Sequence, residues 1–156
     1  MSTYNEVKKA LEEKSLDKSF AVAYTKAHFD EQYERFSGVL ADFSEQYGED
    51  GEREIALFSA PGRTEIGGNH TDHNHGKVLA ASVDLDAVAA ASKNDEGIVR
   101  VKSRGYSIDT VELTDLEVND EDAGRSRSLV RGIIARFKEL GYNIGGFDAT
   151  TASKVL

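Results

Sequence analysis

Apolar residues recur three and four positions apart in the first third of the chain, a spacing that predicts amphipathic helices. The longer stretch runs from about Asp30 to Tyr47 and carries a largely aromatic stripe that we expect to pack in the core: Phe29, Tyr33, Phe36, Leu40, Phe43 and Tyr47. Nearer the N-terminus, Thr3 and Glu6 have the spacing of a capping box ahead of a short apolar period. Two helices are therefore predicted before residue 50.

A third helix is predicted in the last third of the chain. Its apolar positions again lie three and four residues apart: Leu129, Ile133, Phe137 and Leu140. Ser126 and Ser128 are candidate N-caps, and Gly141 supplies a stop.

Between these helices the pattern changes to the short apolar runs and alternation of β-strands. A buried strand is predicted to end at Pro61-Gly62, and three later strands are predicted to form a meander. The predicted strands and extended segments cover residues 55–60, 77–81, 84–92, 98–104, 106–113 and 145–153. Because strands and helices do not alternate regularly, this order favours an α+β fold with helices packed on a sheet.

Composition narrows the class of protein. The 156 residues, 39% of them hydrophobic, suffice for one globular domain with a core. A net charge of -9 without a cluster of basic residues argues against nucleic acid and anionic membranes as partners. The chain has no cysteine, hence no disulfide or thiolate metal site, and no apolar leader or stretch of roughly 20 apolar residues. We therefore expect a cytoplasmic protein.

Polar residues and glycines concentrate between the first two predicted strands. Residues 67–76 hold three of the four histidines, and Pro61, the single proline, lies just upstream. Short polar side chains and glycines at this density are typical of a loop that displays hydrogen-bonding groups. We expect the functional site in this loop.

The chemistry of this loop fits a polyol. Asp72 accepts hydrogen bonds, Asn69 and His70 can donate or accept, and Thr71 offers a hydroxyl. This mixed polarity matches the vicinal hydroxyls of a sugar. The flanking glycines either allow a close approach of the backbone to the ligand or serve turn geometry alone.

A metal site is the competing interpretation of the same loop. Zinc or a similar ion could take its ligands from His70, Asp72, His73 and His75. Structural zinc sites usually pair two ligand clusters separated by a longer stretch, and this chain has only one cluster. We therefore predict no metal site.

Arg63, two residues after the proline, also has two interpretations. It can form an ordinary surface ion pair with Glu65 or another carboxylate. Beside a glycine-rich polar loop it can instead stabilise charge on a transferring phosphoryl group or lower the pKa of a nearby carboxylate.

The segment over residues 60–74, Ala-Pro-Gly-Arg-Thr-Glu-Ile-Gly-Gly-Asn-His-Thr-Asp-His-Asn, resembles the galactokinase signature. Galactokinases belong to the GHMP family of small-molecule kinases. The resemblance implies the GHMP-kinase N-terminal domain, a ribosomal protein S5 domain 2-like α+β fold. It further implies an N-terminal helical segment over residues 1–50, an incomplete α/β domain over residues 51–156, and an absent C-terminal domain.

The resemblance also implies a reaction, the ATP-dependent phosphorylation of the C1 hydroxyl of galactose with Mg²⁺ as the accompanying ion. Asn69, His70, Thr71 and Asp72 would bind the sugar, and Arg63 would stabilise the transition state. The family's phosphate-binding loop is not found in this sequence and is expected beyond Leu156. We therefore expect the chain alone to be inactive and to bind neither ATP nor Mg²⁺. The intact enzyme is expected to be monomeric, whereas the fragment could self-associate.

Three departures from the common signature leave alternatives open. Asn69 replaces the usual glutamate, Glu65 replaces an asparagine, and His73 replaces a tyrosine. A neutral amide binds a hydroxyl less strongly than a carboxylate does, so the preferred sugar is open. A kinase of the same family that acts on N-acetylgalactosamine or arabinose remains an alternative, as does a sugar-sensing regulatory module.

Overall fold

The computed structural model describes residues 2–68 and 75–155. Four α-helices are present in this part of the chain: α1 (Tyr4–Glu12), α2 (Asp17–Phe20), α3 (Phe29–Tyr47) and α4 (Ser126–Glu139). The strands are β1 (Ser2–Thr3), β2 (Glu54–Gly67), β3 (Leu79–Asn94), β4 (Ile98–Ser103), β5 (Ile108–Glu112) and β6 (Gly146–Ser153). Short 3₁₀ turns cover Lys26–His28 and Asp120–Asp122. The three predicted helices are confirmed, and within these ranges no helix has the length and hydropathy needed to cross a bilayer.

The strands form one six-stranded mixed sheet in the order β1-β2-β3-β6-β4-β5. The α+β class is therefore confirmed, but the predicted meander is wrong. Strand β6 lies between β3 and β4, antiparallel to β3 and parallel to β4. A parallel neighbour requires a crossover connection, and α4 supplies it by returning the chain from the β5 edge to the middle of the sheet.

Helix α1 begins as its sequence predicts. The Thr3 hydroxyl accepts a hydrogen bond from the Glu6 N–H at 3.3 Å, and the Thr3 N–H donates to the Glu6 carboxylate at 2.9 Å. This reciprocal pair is the capping box.

The N-cap prediction for α4 is wrong. The N-cap residue is Arg125, and its side chain makes no capping hydrogen bond. The Ser126 hydroxyl donates to Asp109 on β5, and the Ser128 hydroxyl donates to the Arg125 carbonyl at 2.8 Å. The Ser126 hydroxyl is therefore used in a tertiary contact with β5 and does not cap the helix. Gly141 does follow the helix, with a positive φ of 81°.

Helix α3 packs across one face of the sheet, against β3 and β6. Five members of its predicted stripe are buried and Tyr47 is half-buried. They form one core cluster with α1, α2, β2 and β3, which includes Phe20, Ile55 and Val88. The helical N-terminal stretch and the sheet therefore share a hydrophobic core.

The opposite face of the sheet is only partly covered. Helix α4 packs Ile134 against Val99 of β4 and Val111 of β5. Its other apolar positions are exposed: Leu129 (70%), Ile133 (60%), Phe137 (49%) and Leu140 (55%). Over β2, β3 and β6 lies an apolar area that we call the open face, lined by Ala56, Phe58, Ala89, Ala91, Val101, Phe147, Ala149 and Thr151.

Candidate functional site

Strands β2 and β3 form a long antiparallel hairpin that carries the predicted site residues toward its far end. Strand β2 does not stop at Pro61-Gly62 but continues to Gly67, with Thr64 opposite Ala81. Strand β3 is likewise one strand of 16 residues in place of the two predicted segments. Because β1 pairs only with Glu54 and Ile55, the rest of β2 is an edge, where proline is tolerated.

The hairpin changes register where the signature begins. Pro61 pairs with Asp86, and the next pair is Arg63 with Ser82. Three residues of β3, 83–85, therefore face the single residue Gly62. Such an irregularity bends a strand and increases its twist. We call the part of the hairpin beyond it, residues 62–67 and 79–84, the outer half of the hairpin.

Arg63 lies in this outer half of the hairpin, and its side chain is exposed. No hydrogen bond or ion pair to its guanidinium is found among residues 2–68 and 75–155, so the predicted alternative of a pair with Glu65 is not formed. An exposed guanidinium that no described residue pairs is available to bind an anionic group.

The predicted sugar-binding residues Asn69, His70, Thr71 and Asp72 lie outside the described residues. Gly68 is described, and it has a positive φ of 106°. A Cβ at this position would lie 2.5 Å from the Lys77 carbonyl oxygen and 2.7 Å from the Val78 Cα. Only glycine fits here, because the Gly68 backbone lies close to the backbone of Lys77 and Val78.

The metal interpretation concerned four residues, of which only His75 lies in the described part of the chain. Among residues 2–68 and 75–155, no group of three or more His, Cys, Asp or Glu side chains is placed to hold a metal ion.

A buried polar cluster, next to the register change in the hairpin, was not predicted from the sequence. Asp86 is 5% exposed, and its carboxylate accepts hydrogen bonds from Tyr24, from Ser59 at 2.6 Å and from Arg35 at 2.6 Å. We call these four residues the Asp86 cluster. Its sequence signal is the acidic residue Asp86 in phase with the buried positions of β3, Val88 and Ala90.

Burial and hydrogen bonding shift the pKa values in this cluster. Burial alone would raise the pKa of Asp86, but the hydrogen bonds from Ser59, Tyr24 and Arg35 outweigh it and lower the pKa below its ordinary value. Burial, followed by the hydrogen bond to Asp86, raises the pKa of Tyr24 to about 12. Asp86 is therefore a carboxylate at neutral pH, and Tyr24 is a neutral donor.

A second buried carboxylate lies at the opposite end of β3. Asp148 of β6 is paired with Arg53 at 2.5 Å and with Arg100 at 3.0 Å. Asn94 at the end of β3 donates to the same carboxylate at 3.1 Å. We call these the Asp148 cluster, which joins β3, β4 and β6 to Arg53, the residue directly before β2, away from the signature.

The tyrosine pKa values predict a loss of stability in alkaline solution. Burial raises the pKa of Tyr47 to about 12, as it does for Tyr24. From about pH 10 the unfolded chain loses these phenolic protons while the folded chain keeps them, so the free energy of unfolding falls as the pH rises to about 12. Urea unfolding across this range measures the slope. Replacing both tyrosines by phenylalanine should flatten it, whereas Tyr106→Phe, at a 74% exposed residue, should not.

Known proteins share this signature and fold. The galactokinase galactose-binding signature matches residues 41–93, from the end of α3 to the end of β3. A galactokinase of Streptomyces coelicolor is 35% identical over 126 residues, which cover 78% of this chain and 31% of that protein. A galactokinase of Bacillus subtilis is 32% identical over 127 residues, covering 78% and 30%. The chain thus spans about a third of the length of the curated relatives it matches.

Solved structures agree with this relationship. The crystal structure of Lactococcus lactis galactokinase complexed with galactose superposes with a TM-score of 0.64 at 27% identity, covering 74% of this chain and 30% of that one. The crystal structure of Methanococcus jannaschii mevalonate kinase, at 14% identity and a TM-score of 0.51 over 66% of this chain and 33% of that one, shares the fold alone. The signature match, the relatives and the superposed galactokinase structure together show that this chain is similar to the N-terminal part of galactokinases.

Proposed function

We propose that this chain is the sugar-binding part of a galactokinase that transfers the γ-phosphoryl group of ATP to the C1 hydroxyl of galactose. The observation that carries the proposal is the match of a galactose-binding signature to residues 41–93, which include both strands of the hairpin and the segment between them. The galactose complex of the Lactococcus lactis relative supports the same substrate.

In this proposal the hairpin supplies two different chemical functions. The polar side chains of Asn69, His70, Thr71 and Asp72 orient the sugar through its hydroxyls. Arg63 stabilises negative charge that develops as the phosphoryl group moves to the sugar. Because phosphoryl transfer is catalysed mainly by positioning and electrostatics, the exposed guanidinium of Arg63 is the group of this chain whose removal we expect to lower the rate most.

The nucleotide is proposed to be ATP because the relatives are kinases. Magnesium would neutralise part of its phosphate charge when bound. Within the described ranges, no group of three or more His, Cys, Asp or Glu side chains is placed to hold that ion, so these residues do not fit the role.

Because this chain is proposed to supply the sugar site and not the nucleotide site, we predict that galactokinase activity requires more than residues 1–156. The polypeptide expressed from the complete reading frame should release ADP from ATP in a galactose-dependent way, measured in a coupled assay. The 156-residue chain alone should show no galactose-dependent turnover. Galactose-dependent turnover by the 156-residue chain would contradict the prediction that further residues are required. No turnover by the longer polypeptide would contradict the proposed reaction.

Because Asn69 replaces a glutamate, the same assay should also determine which sugar the enzyme prefers. An amide in place of a carboxylate weakens one bond to a hydroxyl. We propose galactose as the preferred sugar, with N-acetylgalactosamine and arabinose as the competing substrates. A higher kcat/KM for either competitor would reassign the substrate. Galactose binding without turnover in the complete polypeptide would favour a sugar sensor.

We further propose that the 156-residue chain self-associates through the open face. Phe58, on the outermost strand of this area, is 55% exposed, and the neighbouring positions on β2 and β3 are alanines. Contiguous apolar surface of this kind promotes association in water. Sedimentation velocity should show a concentration-dependent dimer that Phe58→Ser weakens. Val118→Ser, at a 94% exposed residue outside the open face, should leave the dimer unchanged, and a wild-type monomer at all concentrations would refute the proposal.

A further inference from the structure

We infer that Asp86 is a positioning residue for Arg63, because its carboxylate fixes the register break from which the outer half of the hairpin extends. The inference deepens the proposed function and rests on it for the role of Arg63.

The Asp86 carboxylate joins three elements of the fold. One carboxylate oxygen accepts from Tyr24, which follows α2, and from Ser59 on β2 at 2.6 Å. The other is paired with Arg35 of α3 at 2.6 Å, and the carboxylate is only 7% exposed. Because these bonds are directional, β3 cannot slide or rotate at this residue without breaking them.

The backbone of Asp86 is held as firmly as its side chain. Its carbonyl oxygen accepts a hydrogen bond from Nη2 of Arg35 at 3.1 Å and one from the Lys154 N–H at 3.0 Å. The segment that leaves β6 therefore meets the hairpin at the same residue.

Side chains pack tightly around Gly62, the residue at the register break next to the Pro61–Asp86 pair. A Cβ on Gly62 would lie 2.9 Å from a methyl group of Val155 and 3.1 Å from a methyl group of Val83. Pro61 and Asp86 form the last pair before the break, and Arg63 and Ser82 form the first pair after it. The path of the backbone between these two pairs is consequently tightly enclosed.

The position of the Arg63 side chain depends on the path of the backbone through the register break. Within the described residues its guanidinium makes no hydrogen bond or ion pair, so no side-chain contact there compensates for a change in backbone direction. The register break ends one residue before Arg63. A change at Asp86 is therefore transmitted to Arg63 through the strand.

Asp148 provides a matched control. It is similarly buried, with a side chain 4% exposed, and it is paired with Arg100 of β4 and with Arg53, directly before β2. It pairs in register with Ser92, near the end of β3 that is remote from the signature. Asp148→Asn should therefore disturb the sheet about as strongly as Asp86→Asn, but far from Arg63.

Amide hydrogen exchange tests the positioning directly, without substrate. Asp86→Asn should speed exchange in residues 62–67 and 79–84 by roughly tenfold, the effect of losing a charged hydrogen bond. Tyr24→Phe and Ser59→Ala each remove one hydrogen-bond donor to Asp86, and each should cause a smaller increase in the exchange rate of the same residues. If Asp86→Asn does not fold, these two variants test the inference. Asp148→Asn should speed exchange near residues 92–94 and 146–150 and leave residues 62–67 unchanged. Unchanged exchange at 62–67 in the three cluster variants, or an equal increase in Asp148→Asn, overturns the inference.

Steady-state kinetics on the polypeptide from the complete reading frame test the link to Arg63. Asp86→Asn should lower kcat roughly tenfold with a smaller change in KM, and it should cause little further loss in an Arg63→Ala background, since coupled sites are not additive. Equal losses in both backgrounds would assign Asp86 a merely structural role and overturn the inference. If the wild-type polypeptide has no galactokinase activity, the proposed function fails, while hydrogen exchange still decides whether Asp86 positions the outer hairpin.

Discussion

Arg63→Ala should lower the kcat of the polypeptide from the complete reading frame by roughly 10²–10³-fold, the usual effect of removing one preorganised group that stabilises transition-state charge. The KM for galactose should change much less, because other side chains of the signature are proposed to hold the sugar. Arg63→Lys should recover part of the loss, since an ammonium keeps the charge but lacks the planar pair of donors. Initial rates at varied galactose concentration measure both parameters.

Two controls make this result specific. Arg63 is exposed and has no partner among the described residues, so Arg63→Ala should change the free energy of unfolding by no more than about 0.5 kcal/mol. Arg125→Ala removes another exposed arginine, at the start of α4, and should leave kcat unchanged. A wild-type kcat in Arg63→Ala would show that Arg63 does not stabilise the transition state.

Phe43→Ala should lower the free energy of unfolding of the chain by about 3–5 kcal/mol, as measured by urea denaturation. The Phe43 side chain is fully buried at 0% exposure, contacts Tyr47 with ring centroids 5.1 Å apart, and lies under the Arg53 guanidinium. Its removal leaves a cavity between α3 and the sheet.

Phe137→Ala is the matched control for this core substitution. It removes the same side chain from α4, where Phe137 is 49% exposed. Its effect on the free energy of unfolding should be at most about 1 kcal/mol, since little packing is lost. Comparable losses in the two variants would contradict the assignment of the core to α3.

Local patterns predicted the helices well because their signals lie within a few residues of each other. The capping box of Thr3 and Glu6 and the aromatic stripe of α3 required no knowledge of the rest of the fold. The caps proposed for α4 failed because Ser126 donates to Asp109, a residue 17 positions away. Contacts of that kind are decided by tertiary structure.

Strand order and strand length were harder to predict for the same reason. Strands β3 and β4 follow each other in sequence, but β6 separates them once the α4 crossover is formed. Pro61 was expected to end a strand, and it is tolerated because β1 leaves most of β2 as an edge.

The candidate site was only partly predictable. The signature residues and Arg63 stand out in the sequence because they are close together and chemically unusual for a strand connection. The Asp86 cluster does not, since Tyr24, Arg35 and Ser59 are distant from Asp86 along the chain and are brought together only by the fold.

The position of bound galactose tests the central claim most directly. We predict that a crystal structure of the complete polypeptide with galactose places the sugar against residues 69–72, with its C1 hydroxyl on the side of Arg63. A sugar bound elsewhere, with residues 69–72 making no contact to it, would contradict the account.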